Sequence, residues 1–580
     1  MPTISINGVR CEFTKGERII DIANRNGVEI PQYCYHPGLS VPAQCRICLA
    51  EVHAPNPRND NKLEPMMGGK LLPTCATEAT DGMVVYANNP KAVANQKAVM
   101  EYLLINHPLD CPVCDQAGEC SLQDYSYKYG RSGSRFQEQK VKQPKKDLGP
   151  NILIYSDRCI MCTRCVRFAR EVAGTGELMI DGRGNKSQID VFPGVPLQNE
   201  IASNVIDICP VGALLDKDFL FAQRVWFLKS TPGIDPLTSS GDNIWVEHNQ
   251  GKVYRFKPRE NMDINTWWIS DEVRYGWKFV HADNRLPEPM RRQHGTLIES
   301  EWPAAYRRAI ETLRSGPLAV VVSPFLTCEE AYLLAKLARS IDPAARFAMG
   351  PVPVRGEDKS FPNPAAKDKP FVVRAEKAPN ARGVRRVLDS LGGCADFDTL
   401  LDQCRAGQVG SLLLTGNYPS AWTTSDALDA IKKTKVVLVD THAGHAESAA
   451  QVVLPSATFA EKAGTYENCD GILQAFEQAI PCQHESKSEG QIALDMMAIL
   501  SGEKLREHGP EFGAAIVDDQ EGQVPGATDV VNLPRGPLFD AGAVRAEMAA
   551  GSDALAAFGT DVRLAEKAEA EEPDMVMVDL

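Results

Sequence analysis

The residues most able to do chemistry in this sequence are its cysteines. Twelve of the 17 cysteines precede residue 210, and eleven of those form three close-spaced sets together with one histidine. A disulfide framework would suit a short secreted chain, whereas this chain has 580 residues and shows no signal peptide. In a reducing compartment, grouped thiolates are soft ligands for zinc or iron–sulfur centres. The three sets therefore predict metal or cluster binding.

The first set has the spacing C-x10-C-x2-C-x26-C. Its members are Cys34, Cys45, Cys48 and Cys75. Plant-type [2Fe–2S] ferredoxins show the same order of ligands, C-x4-C-x2-C followed by a remote cysteine. The set therefore predicts a [2Fe–2S] site, with a four-cysteine zinc site as the alternative. We interpret the nearby His36 as a packing residue or a residue that supports the ligands, not as a ligand.

The second set has the spacing H-x3-C-x2-C-x5-C. Its members are His107, Cys111, Cys114 and Cys120. One histidine and three cysteines could hold a tetrahedral zinc ion or a [4Fe–4S] cluster with one imidazole ligand. The position of the set between two ferredoxin-like sets favours the cluster. Because an imidazole replaces one negative thiolate, we expect a raised reduction potential, as in Rieske centres.

The third set is a compact run of three cysteines with a distant fourth. Its members are Cys159, Cys162, Cys165 and Cys209, the last of which precedes Pro210. Bacterial two-cluster ferredoxins carry C-x2-C-x2-C-x3-C-P, in which the cysteine before proline binds the other cluster. Here the Cys-Pro pair comes after 43 intervening residues, so one [4Fe–4S] cluster accounts for all four thiols.

Two groups of residues outside the three sets are also candidates for a role. Arg158, Arg164 and Arg167 flank the compact run, either as a solvated or salt-bridged surface or as charges that offset a negative cluster and raise its potential. Six scattered cysteines form no C-x2-C pair, and we interpret them as buried residues that pack like small hydrophobes. They are Cys11, Cys328, Cys394, Cys404, Cys469 and Cys482.

The elements around the first set are predicted to be β-rich. Thr3–Ile6 and Val9–Phe13 form two strands around the Asn7-Gly8 turn, which is a strong hairpin signal. Glu17–Asn26 follows as a helix with isoleucines on its apolar face, and residues 55–70 are predicted to form a polar surface loop. Residues 96–135 are predicted to be largely helical.

After about residue 300, helical patterns alternate with short aliphatic strands. This alternation is typical of an α/β domain with a largely parallel sheet. We predict strands at Leu318–Val322, Ser411–Leu414 and Val436–Val439. We predict helices at Pro303–Leu313, Glu329–Ser340, Gly383–Leu391 and Asp426–Lys433. The segment 354–381 is predicted to be a loop or an insertion.

The bulk composition excludes some classes of partner. A net charge of −14 argues against nucleic acid, because binding phosphates needs clustered Lys and Arg. No apolar run approaches the roughly 18 residues that a membrane-spanning helix needs. We therefore expect a cytoplasmic chain that meets a membrane only through partner proteins. A chain of 580 residues is also too long for one core, since cores stop growing at roughly 250–300 residues.

The order of the motifs resembles one family. YCYHPGLS and QCRICLAEV come first, then NHPLDCPVCDQAGEC, then SDRCIMCTRCVRFAREV with DICPVGAL. This order is similar to that of the large iron–sulfur subunit (the G subunit) of bacterial NADH:quinone oxidoreductase, respiratory complex I. The later stretches VVLPSATFAEKAGTYENCDGILQ and INTWWISDEVRYGW resemble that subunit's molybdopterin-oxidoreductase-like domain, with Ser270 where a cysteine often stands.

The resemblance implies a multidomain chain of α+β and α/β parts. The implied parts are a β-grasp [2Fe–2S] ferredoxin-like domain at 1–95, a His/Cys-ligated [4Fe–4S] domain and connector at 96–150, a ferredoxin-like [4Fe–4S] domain at 151–222, a molybdopterin-oxidoreductase-like α/β domain at 223–510 and a weakly structured acidic region at 511–580. We expect no molybdenum cofactor. We also expect no fourth cluster, because residues 228–245 contain no cysteine.

The resemblance also implies a function, that of an electron relay within a respiratory-chain translocase. Electrons would pass from an NADH/FMN-binding partner through the [2Fe–2S] centre, the all-cysteine [4Fe–4S] cluster and the His-ligated cluster toward quinone. No NADH or quinone site and no catalytic acid, base or nucleophile is expected on this chain. The alternatives are a relay subunit of a soluble hydrogenase or formate dehydrogenase, and a zinc-stapled scaffold without redox function.

Overall fold

The computed structural model describes residues 1–366, 368–503 and 537–565. The chain divides into two compact units. The cysteine unit comprises Met1–Leu228 with Ser360–Phe371, and the sheet unit comprises Lys229–Lys359 with Val372–Leu580. All three cysteine sets lie in the cysteine unit. None of the helices in the described ranges is long and apolar enough to cross a membrane.

A six-stranded sheet opens the cysteine unit, in the order β2-β1-β6-β3-β4 with β5 paired to β3. Its strands are β1 (Thr3–Ile6), β2 (Val9–Glu12), β3 (Leu49–Asn56), β4 (Lys62–Pro65), β5 (Leu72–Pro73) and β6 (Val84–Tyr86). The predicted hairpin is confirmed, and Asn7 and Gly8 at its turn both have positive φ, as a type I′ turn requires. The predicted helix is confirmed as α1 (Ile19–Arg25), which buries Ile19, Ile20, Ile22 and Ala23.

The prediction of a loop over residues 55–70 was wrong. Strand β3 continues to Asn56, and β4 pairs with it antiparallel from His53↔Pro65 to Asn56↔Lys62. The reason is that this part of the hairpin is largely exposed, so its residues show no alternation of apolar and polar side chains. Backbone pairing with β3, which the sequence pattern does not report, holds the strand.

The rest of the cysteine unit consists of short elements that leave the ligand residues in loops or at helix starts. The helices are α2 (Pro90–Leu104), α3 (Ser121–Tyr129), α4 (Arg164–Glu171) and α5 (Asn204–Asp207). The strands are β7 (Lys145–Asp147), β8 (Ile152–Tyr155), β9 (Leu178–Asp181), β10 (Gln188–Val191) and β11 (Leu214–Asp216). Strands β11, β8 and β7 form one sheet, and β9 pairs with β10.

A seven-stranded sheet lies at the centre of the sheet unit, in the order β16-β15-β23-β22-β21-β17-β18. Its strands are β15 (Met290–Gln293), β16 (Thr296–Glu299), β17 (Leu318–Val322), β18 (Arg346–Met349), β21 (Ser411–Thr415), β22 (Lys435–Asp440) and β23 (Ala450–Pro455). The five strands from β23 to β18 are parallel. The predicted α/β domain with a largely parallel sheet is therefore confirmed, and so are its three predicted strands.

The helices that cover this sheet agree with the prediction within a few residues. They are α7 (Trp302–Leu313), α8 (Cys328–Ile341), α9 (Ala381–Ser390), α10 (Phe397–Arg405) and α11 (Ser425–Ile431). Helix α10 was not predicted. Helix α8 begins with a capping box. The Thr327 side chain accepts a hydrogen bond from the backbone N–H of Glu330, and the Glu330 side chain accepts one from the backbone N–H of Thr327.

Smaller elements complete the sheet unit. The strands are β12 (Lys229–Ile234), β13 (Asn243–Asn249), β14 (Lys252–Pro258), β24 (Gly464–Glu467) and β25 (Leu473–Phe476). Two further strands, β19 (Lys359–Phe361) and β20 (Phe371–Val373), lie at the two ends of Ser360–Phe371, which belongs to the cysteine unit. The helices are α6 (Asp271–Tyr275), α12 (Glu489–Leu500), α13 (Ala541–Gly551) and α14 (Ala557–Thr560). Within the predicted acidic region 511–580, only residues 537–565 are described, and the rest of that prediction lies outside the described residues.

Candidate metal centres

The four thiols of the first set lie in two close pairs. Cys34 Sγ is 3.4 Å from Cys45 Sγ, and Cys48 Sγ is 3.5 Å from Cys75 Sγ. A tetrahedral metal with metal–sulfur bonds of about 2.3 Å holds two sulfurs roughly 3.8 Å apart. Each pair therefore has the spacing of one edge of a metal tetrahedron, and two such edges suit a centre with two metals.

The turn that carries Cys45 and Cys48 is fixed from two sides. Arg46 within it has a φ of 62°, and the Asn95 side chain in α2 donates a hydrogen bond of 2.8 Å to the Arg46 carbonyl. On the other side, Thr74 Oγ1 donates to the Cys48 carbonyl at 3.0 Å. Because Thr74 precedes Cys75, this bond holds the remote cysteine beside the turn.

The two thiols in each pair are joined by a hydrogen bond, which shifts their pKa values in opposite directions. A hydrogen bond from the Cys34 thiol lowers the pKa of Cys45 to about 5 and raises the pKa of Cys34. In the other pair, the hydrogen bond lowers the pKa of Cys48 and raises that of Cys75. One thiolate per pair thus forms readily, which is the form that binds metal.

Three members of the second set line one cavity. His107, Cys111 and Cys120 face a cavity of about 430 Å³ between the end of α2 and the start of α3. Cys114 does not line this cavity, and its Sγ lies against Gly212, where an added Cβ would come within 2.3 Å of the sulfur. Burial lowers the pKa of His107 to about 4, so its imidazole is neutral, as metal binding requires.

The thiols of the third set converge from one turn and one remote loop. Met161 and Thr163 have positive φ, which curls the turn between the three cysteines of the compact run, and Cys165 lies in the first turn of α4. Cys209 follows α5, and its Sγ donates to the Val211 carbonyl at 3.0 Å. Burial raises the pKa of every thiol in the set, to about 11 for Cys162. A positively charged centre would supply the counter-charge that the thiolate form of these side chains lacks.

Two of the three arginines around the third set are buried, and Arg164 is half-buried. Arg158 and Arg167 are only 3% and 8% exposed. Arg158 forms two hydrogen bonds, of 3.0 and 2.9 Å, to the carboxylate of Asp110, which precedes Cys111 of the second set. Arg158 is thus salt-bridged, as the first interpretation allowed, but it is buried, and an effect of these arginines on the potential of a cluster stays a prediction.

Residues 221–224 also support the second set. The guanidinium of Arg224 donates to the backbone carbonyls of Cys114, at 2.9 Å, and Pro112. The Phe221 N–H donates to the Asp115 carboxylate at 2.8 Å. No spacing in the sequence connects these residues with the second set, because more than 100 residues separate each donor from its acceptor.

The remaining candidates play local roles. His36 accepts a hydrogen bond of 3.1 Å from the Gly38 N–H, and burial beside Arg164 and Arg167 lowers its pKa to about 3. Ser270 caps α6 by accepting from the Val273 N–H. Of the six scattered cysteines, Cys11, Cys328 and Cys404 are buried and the other three are half-buried. Across the described parts of the chain, no group of three or more His, Cys, Asp or Glu is arranged to hold a single metal ion.

Two buried aromatic rings lie at the edge of the sheet unit where α/β proteins usually bind ligands. In a sheet of this strand order, that edge lies at the carboxyl ends of β17 and β21, where the order reverses. Phe325 and Tyr418 follow these two strands, and their buried rings lie 4.8 Å apart. The Tyr418 hydroxyl donates to the Pro351 carbonyl at 2.9 Å.

Five family models match successive parts of the chain. They are a 2Fe-2S iron-sulfur cluster binding domain at residues 1–90, the NADH-ubiquinone oxidoreductase-G iron-sulfur binding region at 96–135, the ferredoxin-like domain of NADH-quinone oxidoreductase subunit 3 at 149–215, an NDSU1/NuoG-like 4Fe-4S domain at 228–278 and molybdopterin oxidoreductase at 398–498. Curated relatives carry matching names. The NADH-ubiquinone oxidoreductase 75 kDa subunit of Reclinomonas americana is 35% identical over 359 residues, which are 61% of this chain and 50% of that protein.

The chain is homologous to the G subunit of NADH-quinone oxidoreductase. The G subunit of Rickettsia felis is 35% identical over 59% of this chain and 49% of that protein. The G subunit of Rickettsia conorii is 37% identical over 54% of this chain and 45% of that protein. The chain thus spans about half the length of the curated relatives it matches. The resemblance and the predicted fold class are confirmed.

The chain also matches solved structures, one of which illustrates the likeness. It is a chain of an NAD+-reducing [NiFe]-hydrogenase in the H2-reduced state, at 25% identity and a TM-score of 0.32. The match covers 39% of the present chain and 91% of the hydrogenase chain.

Proposed function

We propose that this chain is an iron–sulfur electron relay of NADH:quinone oxidoreductase. The observation that carries the proposal is the grouping of three ligand sets in one compact unit, each within the span of a family model for an iron–sulfur or ferredoxin-like domain. Electrons would enter from an NADH/FMN-binding subunit and leave toward quinone. The five-part division at 1–95, 96–150, 151–222, 223–510 and 511–580 is part of this proposal.

The first set suits a [2Fe–2S] centre, and the pairing of its sulfurs supports that assignment. The ligands proposed for it are Cys34, Cys45, Cys48 and Cys75. The other two sets each suit one [4Fe–4S] centre. The ligands proposed for these are His107, Cys111, Cys114 and Cys120, and Cys159, Cys162, Cys165 and Cys209. When bound, the clusters supply one-electron transfer.

The chain's own residues would bind the proposed centres, shield them from solvent and determine the charge around them. Tight turns and helix starts present the sulfurs, and eight of the eleven thiols are less than a tenth exposed, which limits the access of water to them. The neutral imidazole of His107 brings no negative charge to the second set. The buried guanidinium of Arg167 adds positive charge beside the first and third sets, which favours the more negative, reduced state of a centre, whereas Asp110 offsets the charge of Arg158.

We propose that the sheet unit is a scaffold without molybdenum and without a fourth cluster. Residues 228–278 match a 4Fe-4S domain, yet this span contains no cysteine, so it offers no thiolate ligand. Phe325 and Tyr418 lie at the strand ends where α/β proteins usually bind ligands. Contact with the inner face of the bacterial membrane would come only through the other peripheral-arm subunits of complex I.

Visible absorption and low-temperature EPR of the anaerobically purified, reduced chain test this function. We expect brown protein with both [2Fe–2S] and [4Fe–4S] signals. Colourless protein with stoichiometric zinc would contradict it in favour of a non-redox scaffold. Molybdenum in the same preparation would favour a formate dehydrogenase relay, and nickel in the native complex would favour a hydrogenase relay.

A further inference from the structure

The loop between Cys34 and Cys45 contacts the third set. This loop has ten residues, where the plant-type spacing has four. Its Ser40 donates from the backbone N–H and the hydroxyl to the Glu171 carboxylate at the end of α4, at 2.9 and 2.5 Å. Its Gln44 donates to the Met161 carbonyl at 3.0 Å. The extra length therefore packs the first set against the turn and helix that carry the third set.

One guanidinium joins ligand residues of both sets. Arg167 lies in α4, is 8% exposed, and donates to the backbone carbonyls of Cys34 and Ser40. The same nitrogen that donates to Cys34 also lies 3.4 Å from the carbonyl of Cys162 in the third set. The guanidinium spreads its N–H donors over separate nitrogens in a rigid fork, whereas a lysine carries all of its donors on one nitrogen.

A second arginine on the same helix makes similar hydrogen bonds to residues that are next to the proposed ligands in the sequence. Arg164 donates to the carbonyl of Tyr35, which follows Cys34, and at 3.2 Å to the carbonyl of Ile208, which precedes Cys209. Arg170, on the same helix, is exposed and makes no contact with either set among the described hydrogen bonds. Helix α4 thus offers both a bridging arginine and a matched control.

We propose that Arg167 is a positioning residue that couples the first and third centres: it holds their ligand loops together and raises both reduction potentials. The inference rests on the proposed function. With both centres bound, one electron would leave the first, which would be oxidised, and reach the third, which would be reduced, with no proton or bond exchanged. A positive charge within hydrogen-bonding distance of both ligand backbones favours the more negative, reduced state of each centre.

Redox titration of Arg167→Gln, followed by EPR on the full chain with its clusters, tests the proposal. We expect the midpoint potentials of the first and third centres both to fall, while that of the second centre stays unchanged. Arg170→Gln removes the same charge from the exposed part of α4 and should move none of the three midpoints. Unchanged midpoints in Arg167→Gln, or equal shifts in Arg170→Gln, would overturn the proposal.

Arg167→Lys separates the effect of the positive charge from the effect of the branched guanidinium. It also tests the proposal if Arg167→Gln loses its clusters. It keeps the positive charge but cannot reach Cys34, Ser40 and Cys162 together. We expect a weaker magnetic interaction between the reduced first and third centres, with midpoints closer to wild type than those of Arg167→Gln. A wild-type interaction in Arg167→Lys would show that Arg167 does not bridge the sets. Loss of all cluster signals from the wild-type chain would instead contradict the proposed function.

Discussion

The cysteine unit and the sheet unit bury their polar groups in opposite ways. In the sheet unit, Lys462 Nζ lies 2.9 Å from Glu330 and 2.7 Å from Glu489, and all three side chains are fully buried. Arg285 and Glu461 form a second buried pair at 2.8 Å. The sheet unit therefore places counter-charges from its own sequence beside these buried groups.

The cysteine unit treats the buried thiols of the third set differently. Burial raises the pKa of all four thiols, although the positive charges of Arg164 and Arg167 act in the opposite direction on Cys162. The two arginines are therefore too little to stabilise four thiolates there. The comparison teaches that the sheet unit buries ion pairs made by its own residues, whereas the third set buries uncharged thiols that would become thiolates only on binding a centre.

The largest expected difference between the units is their response to loss of iron. Because metal binding to thiolates contributes folding free energy of about 10–16 kcal/mol even in small zinc peptides, chelation should unfold the ligand loops of the cysteine unit. Hydrogen–deuterium exchange should rise in α4 and remain unchanged in α8. Equal protection of α4 with and without iron would show that the cysteine unit does not depend on its centres.

Breaking the buried triad should destabilise the sheet unit alone. Lys462→Met leaves Glu330 and Glu489 buried without a counter-charge, which costs about 3–5 kcal/mol in the free energy of unfolding. The matched control is Lys336→Met, since Lys336 pairs with Glu547 at the surface, where a pair contributes roughly 0–1 kcal/mol.

Thermal unfolding of the two variants measures the difference. The cluster EPR signals of both should match those of the wild type. Equal loss of stability in Lys462→Met and Lys336→Met would contradict the role of the triad, and so would a loss of cluster signals in Lys462→Met.

A smaller effect is expected from pH. Burial raises the pKa of Asp440 from 3.8 to about 6, so the folded chain binds this proton more tightly than the unfolded chain. The contribution of Asp440 to stability is therefore largest below about pH 4 and is lost as the pH rises to about 6, a change of roughly 3 kcal/mol. Asp440→Asn should remove this slope from the unfolding free energy of the sheet unit. An unaltered slope between pH 4 and 6 would sink the assignment.

The smallest effect concerns one proposed ligand and leaves stability nearly unchanged. His107→Cys should retain a four-iron centre in the second set but lower its midpoint potential, because an anionic thiolate replaces a neutral imidazole. EPR-monitored titration measures the shift, and the first and third centres serve as internal controls. A midpoint equal to that of the wild type would show that His107 is not a ligand.

The sequence predicts the parts of the fold that depend on local patterns. Leu318–Val322 is an unbroken aliphatic run, and the structure has the strand with the same bounds and every residue buried. The hairpin at Asn7-Gly8 depends on a turn that two adjacent residues specify. The ligand sets are recognisable for the same reason, since C-x2-C pairs lie within one turn of chain.

The sequence does not predict contacts that join distant residues. Arg167 meets Cys34 across 133 residues of sequence, and Arg158 meets Asp110 across 48, so no spacing reveals that these arginines are buried between the sets. Strand β4 was missed because its stability comes from pairing with β3 and not from its own pattern of side chains. The position of the Cys114 sulfur, outside the cavity of the second set, likewise depends on its contact with the distant Gly212.

Iron and acid-labile sulfide quantitation on the anaerobically purified full chain tests the central claim most directly. One [2Fe–2S] and two [4Fe–4S] centres predict about ten iron atoms and about ten sulfides for each chain. The account requires both values, together with negligible zinc. A preparation without acid-labile sulfide, or with one zinc ion for each set, would contradict it.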